Sequence, residues 1–259
     1  MNAIQDTRDS AARLFRDYGG AILIAVLVAL TIRFFVIEAY RIPSQAMRPN
    51  LEPGDTIFVS KSAYGIRNPF TGGMVSQPTA PRAGDIVVFE GVDDPDRDFI
   101  KRVVGIPGDT VEIRAGKLWV NGQDTTSASS PHSACGRETL GPGRTGESNR
   151  ANDSGRTNAA SRAYDVCWEP PLLSDMAPLK VPEGSVYTLG DLRTRVVDTA
   201  RPDGSHVEKK NGAGVMVPFN SLKGRALWIW LSIEPHSPHG EAGGLFSRIR
   251  FERMFKKIL

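Results

Sequence analysis

The residue with the most to offer chemically is Lys101, which stands in Asp98–Asp109 (DFIKRVVGIPGD), a mostly apolar run. A lysine amine acts as a base near neutral pH only when its ammonium form is disfavoured, and burial among apolar groups does this by lowering the pKa. If the run is a strand, Phe99, Lys101 and Val103 share one side and Ile100, Arg102 and Val104 the other, and parity does not say which side is buried. Taken alone, Lys101 and Arg102 read as ordinary solvent-facing strand residues. A base needs a hydroxyl to activate. Ser44, in Arg41–Asp55 (RIPSQAMRPNLEPGD), carries one, though by itself it is only a turn serine. Two cysteines, Cys135 and Cys167, are too few for a disulfide scaffold and lack the close pairing of a zinc site. One bridge between them would close a loop worth about 3 kcal/mol, and two separate thiols is the alternative.

The elements that must position Lys101 read as β. Asp55–Ser60, Asp85–Phe89, Phe99–Val104, Thr110–Ile113 and Lys117–Val120 are short runs rich in β-branched and aromatic residues, and Ser185–Leu189, Val215–Val217 and Ala226–Ile233 follow later. Turn chemistry separates them: Pro53-Gly54-Asp55, Gly84-Asp85, Pro107-Gly108-Asp109, Ala115-Gly116 and the hairpin pair Asn121-Gly122. Residues 123–163 turn to Ser, Thr, Asn, Gly and Arg with hardly an aliphatic side chain, which predicts a long irregular insertion reaching to about residue 180. Residues 191–213 read as a polar loop or turn-rich connection. The C-terminal LFSRIRFERMFKKIL is basic and amphipathic, fitting either a tail lying on a bilayer or a last strand with a short solvated helix.

Residues 19–37 (GGAILIAVLVALTIRFFVI) are apolar apart from Thr31 and Arg33, and as a helix they would extend about 28 Å, close to the hydrocarbon thickness. Arg33 is near the far end, where it can snorkel to headgroups. No small-x-small cleavage site follows, so an uncleaved anchor is expected. Arg8, Arg13 and Arg16 precede the span and place residues 1–18 in the cytoplasm, with everything from about Glu38 outside it. A net charge of +3 and a charged fraction of 24% exclude a nucleic-acid field and general disorder. An extracytoplasmic domain has no access to cytosolic cofactors, and a hydrolase or binding role is favoured.

Arg41–Asp55 resembles the signal peptidase I signature of the form Pro-Ser-x-Ser-Met-x-Pro-x-Leu-x-x-Gly-Asp, in both place and spacing. Arg82–Phe89 is similar to that family's Gly-Asp strand, and Asp98–Asp109 to its lysine box. Gly190–Thr199 (GDLRTRVVDT) is similar to its last box only in part, with Gly190, Asp191, Arg193 and Asp198 retained. The resemblance implies a mainly β, signal-peptidase-like domain over residues 38–244 after one N-terminal transmembrane helix, with 245–259 as the basic tail. It also implies removal of signal peptides from exported preproteins at the bacterial cytoplasmic membrane, with membrane lipid around the anchor and neither metal nor cofactor. In those terms Lys101 is the base, Ser44 an oxyanion-hole donor, and Ile42, Met47, Leu51, Phe99 and Ile100 line pockets for small residues at the cleavage site, positions that equally suit core packing.

Two departures stand against full activity. Ala46 occupies the nucleophile position and has no hydroxyl, and Val196 replaces the serine that supports the lysine, with Leu192 and Thr194 beside it. An introduced Ser-to-Ala change would account for Ala46 but not for the last box. Three readings stay open: a diverged, non-cleaving protein that holds signal-peptide-like segments, an engineered inactive form, and a peptidase using Ser44 or Thr199 instead.

Overall fold

The computed structural model describes residues 18–31, 33, 35–66, 75–76, 79–91, 95–126, 135–141, 161–194, 197–200, 206–209, 214–235 and 245–258. Residues 18–31 are helical, and apolar side chains stand exposed along them, Ile22, Leu23, Ile24 and Leu27 among others. No helix among the described residues is long and apolar enough to cross a membrane. Ile37, expected at the end of the helix, instead opens the first strand.

In chain order the strands are β1 (Ile37–Arg41), β2 (Asp55–Ser60), β3 (Ile86–Glu90), β4 (Asp98–Gly105), β5 (Thr110–Arg114), β6 (Lys117–Val120), β7 (Gln123–Asp124) and β8 (Cys135–Leu140). They continue as β9 (Arg162–Trp168), β10 (Met176–Lys180), β11 (Ser185–Leu189), β12 (Leu192–Arg193), β13 (Val197–Ala200), β14 (His206–Lys209), β15 (Val215–Pro218) and β16 (Leu222–Ser232). The main sheet runs β1-β2-β16-β3-β4-β11-β15, a second runs β10-β5-β6-β7, a third β12-β9-β8, and β13 pairs β14 alone.

The alternation seen in the sequence is realised in β2, where Asp55, Ile57 and Val59 are buried and the residues between them half-buried. Asn121 and Gly122 both adopt positive φ (53° and 76°), the backbone that a two-residue hairpin matched to strand twist requires, and they join β6 to β7. β4 lies inside the main sheet and is buried on both faces: Phe99 and Val103 pack with Val87, Phe89, Val186 and Val217, while Ile100 packs with Ile86 and Val88 and Val104 with Val111.

Three expectations are corrected. The described part of the insertion is not irregular, because β8 and β9 pair over their full length with Cys135 directly opposite Cys167, and those two cysteines form a disulfide. Composition hid this hairpin because its inward positions include Glu138, a buried ion, beside Leu140, Tyr164, Val166 and Trp168. β10 then pairs with β5. Within 191–213, the expected loop contains the β13–β14 hairpin. The tail, finally, folds back on its own domain as two 3-10 turns, Leu245–Arg248 and Phe251–Arg253. It then lies along the second half of β16, where the Ile229 amide donates to the Lys256 carbonyl (3.0 Å) and that of Ile258 to Leu227 (2.9 Å). Its arginines choose the path: Arg253 reaches both carboxylate oxygens of the fully buried Asp55 (3.1 and 2.6 Å), and Arg250 reaches Glu52 (2.7 Å) and Ser232 (2.8 Å). A buried carboxylate left without such partners would cost several kcal/mol.

Candidate active site

The loop after β1 is clamped at its base. The Ile42 amide donates to the Asp55 carbonyl (2.8 Å) and the Gly54 amide returns to the Ile42 carbonyl (2.9 Å). Its apolar side chains serve as anchors: Ile42, Met47 and Leu51 are at most 2% exposed and share one core cluster, which Ile100 flanks. Phe99 belongs elsewhere, stacked near Phe89 (centroids 6.1 Å apart) in the cluster on the opposite side of the sheet. Four of the five expected lining positions therefore come together, three of them as packed core. Anchored this way, the turn presents Ala46, itself buried, with Ser44 half-buried two residues earlier.

Ala46 and Lys101 meet at Gly190. The Leu192 amide donates to the Ala46 carbonyl (3.1 Å). A methyl group built on Gly190 would fall 2.6 Å from that carbonyl oxygen and 3.3 Å from Lys101 Nζ, so only glycine permits this approach. Lys101 sits opposite Val87 of β3. Burial, reinforced by the Arg193 guanidinium and opposed by Asp191, brings its pKa down to about 8. The ammonium form still dominates at pH 7, but a neutral amine is accessible within a unit or so of neutrality, which an ordinary lysine does not offer.

Beneath the lysine lies a buried polar lattice. Arg102 grips Asp191 with two hydrogen bonds (Nε to Oδ1, 2.8 Å; Nη2 to Oδ2, 2.7 Å), donates to the Gly84 carbonyl (2.8 Å), and stacks on Tyr164 (4.0 Å to the ring centroid). Asn50 Nδ2 donates to Asp191 Oδ2 (2.8 Å) and to the Asp165 carbonyl (2.6 Å). Arg193, also fully buried, pairs with Glu138 through Nε (3.2 Å) and Nη2 and donates to the Gly190 carbonyl. The Tyr164 hydroxyl donates to Glu138 (2.7 Å) and accepts from Arg193 (3.2 Å). The arginine pKa values lie above their usual value: burial opposes this, and is outweighed at Arg102 by Asp191 and at Arg193 by Glu138.

Of the residues expected in support, Gly190 adjoins Lys101 Nζ, and the charges of Asp191 and Arg193 act on the amine. Val196 lies outside the described residues, and Asp198 is described only as backbone paired with Glu208 in the β13–β14 hairpin. Glu138 and Tyr164 were not anticipated, and neither was the place of Arg102 and Asn50 in the lattice. The one signal available was alternation: Glu138 and Leu140 fall on the same strand face, so an inward leucine implies an inward glutamate.

Fold and site together define a mainly β domain that packs a lysine of lowered pKa against the loop carrying Ala46, with Gly190 at the junction. The family described as "Signal peptidase, peptidase S26" matches residues 15–231. A signal peptidase I of Pseudomonas fluorescens is 32% identical over 232 residues, covering 87% of this chain and 76% of that protein. One from Pseudomonas aeruginosa is 31% identical over 220 residues (85% and 73% covered), and one from Bacillus licheniformis 30% over 207 residues (78% and 89%). The chain belongs to the signal peptidase family, and that membership implies signal peptides as its substrate class.

Proposed function

We propose that this chain is a membrane-tethered signal peptidase homologue that holds signal-peptide segments in the family's groove without cutting them. The observation that carries this reading is the junction at Gly190, where Lys101 Nζ and the Ala46 carbonyl face the same point: the base is poised, and residue 46 offers it no hydroxyl to deprotonate. The backbone that would receive an extended peptide is held in place by the Ile42–Asp55 clamp and does not depend on a hydroxyl. Exposed apolar side chains along residues 18–31 support a single N-terminal anchor, since lipid is the solvent in which such a surface is stable. The Cys135–Cys167 bridge supports a domain facing the oxidising side of the membrane.

The test uses the full chain in detergent micelles with a fluorescent signal-peptide analogue and an exported preprotein. The expected result is saturable binding of the analogue, weakened by Ile100→Asp in folded protein, with no cleavage of the preprotein. Robust cleavage that disappears in Ser44→Ala would replace this reading with a shifted nucleophile, and absence of binding would remove the groove.

A further inference from the structure

We infer that Glu138, carried on the disulfide-tied β8–β9 hairpin, is a positioning residue for Lys101, acting through Arg193. The inference rests on the reading above only in treating Lys101 as the functional amine.

Glu138 is a buried anion on a hairpin whose other inward side chains are Leu140, Tyr164, Val166 and Trp168. Its carboxylate takes Nε and Nη2 of Arg193 and the hydroxyl of Tyr164. Held there, Arg193 directs its remaining arm, Nη1, to the carbonyl of Gly190, the residue where an added methyl would meet both the Ala46 carbonyl and Lys101 Nζ. One carboxylate thus fixes a guanidinium, which fixes the peptide on which loop and lysine meet. The charges that act on the amine are Arg193 and Asp191, from the segment after β11; behind them stand Arg102 of β4 on Asp191 and Glu138 of β8 and Tyr164 of β9 on Arg193, while β3 contributes the apolar Val87 opposite Lys101. Arg193 repels the ammonium form and Asp191 favours it. Glu138 therefore determines whether the repelling charge stays in place. Without it, Arg193 is a buried cation with no anion of its own, and it turns toward water. The hairpin is closed beside this point by Cys135–Cys167, and Cys167 also donates its amide to the Asp191 carbonyl (3.1 Å). The insertion is thereby joined to the site through backbone as well as side chain.

The readout is the pH dependence of Lys101 acetylation by acetic anhydride in the full chain, followed by peptide mass spectrometry, with thermal unfolding in parallel. In Glu138→Gln the repulsion from Arg193 is lost, the titration moves to higher pH, and labelling at pH 8 falls about two- to fivefold. Glu138→Asp, which keeps the charge, recovers part of that loss. If Glu138→Gln does not fold, Tyr164→Phe removes one tie between Glu138 and Arg193 while keeping both charges, and a smaller shift in the same direction is expected. A folded variant with lower thermal stability but an unchanged Lys101 profile shows that Glu138 only stabilises the fold and overturns the inference. Signal-peptide binding measured on the same preparations separates the two readings, because a shifted Lys101 profile in a chain that binds no peptide sinks the proposed function and leaves this one standing.

Discussion

Replacing Ala46 by serine adds a single oxygen to a loop whose carbonyl already abuts the Gly190 contact with Lys101 Nζ. The variant is expected to cleave preprotein weakly, and the informative quantity is how the rate varies with pH. A general base works as the neutral amine, so activity must rise as pH passes upward through the lysine's pKa. With that pKa at about 8, roughly a tenth of the lysine is neutral at pH 7 and about nine-tenths at pH 9, which predicts an approximately tenfold rise followed by a plateau. A lysine at its ordinary value would instead give a rise of about a hundredfold over the same interval with no plateau in reach. The assay is single-turnover cleavage in micelles, with Ala46→Ser/Lys101→Met as the blank. Because misplacement by about 1 Å can cost on the order of a hundredfold, the absolute rate should remain low until Val196→Ser is added. A flat profile between pH 7 and 9, or equal cleavage by the Lys101→Met blank, would refute the assignment of Lys101 as base.

Two further outcomes follow from packing and charge. Gly190→Ala drives a methyl into the Ala46 carbonyl, and thermal unfolding together with analogue binding should register a loop displaced from its seat, with a loss of about 1–3 kcal/mol. Asp55 is tied to Arg253: burial alone would raise its pKa, but hydrogen bonds from Arg253, the Glu52 amide and Ser232 outweigh that and hold it below the ordinary value. With the folded pKa depressed, the associated stability is present above the unfolded carboxylate value and disappears as pH falls through the folded one. Urea midpoints should therefore drop below about pH 4 in the parent chain and change less with acid in Arg253→Ala. An equal acid response in both proteins would show that the tail contact is not the source.

Much of the two larger sheets was legible because their signals are local. The alternation of Asp55–Ser60 and the positive-φ pair Asn121-Gly122 each announce a strand or a hairpin within a few residues. The junction of Lys101 with the loop after β1 was legible only through family resemblance, since Lys101 and Arg102 have the appearance of surface residues. The lattice below them was not legible for a physical reason. Glu138, Arg193, Arg102 and Asp191 are hidden ions whose partners lie far along the chain, 55 residues apart in one pair and 89 in the other, and composition counts each as a marker of solvent. The tail escaped for the same reason, its amphipathicity being real but directed at Asp55 and β16 as well as at water.

The Asp55–Arg253 contact joins residues 198 apart, and β2 obtains its second neighbour only from β16. At about 5–20 residues per second, the two would be made roughly ten to forty seconds apart. Throughout that interval the earliest strands wait as an open edge with a lone carboxylate. The domain therefore completes in chain order: the buried lattice is assembled as β8 to β12 arrive, and the main sheet is joined through β16 only near the end. Loss of the Arg250 and Arg253 contacts would then be felt as a failure to finish folding.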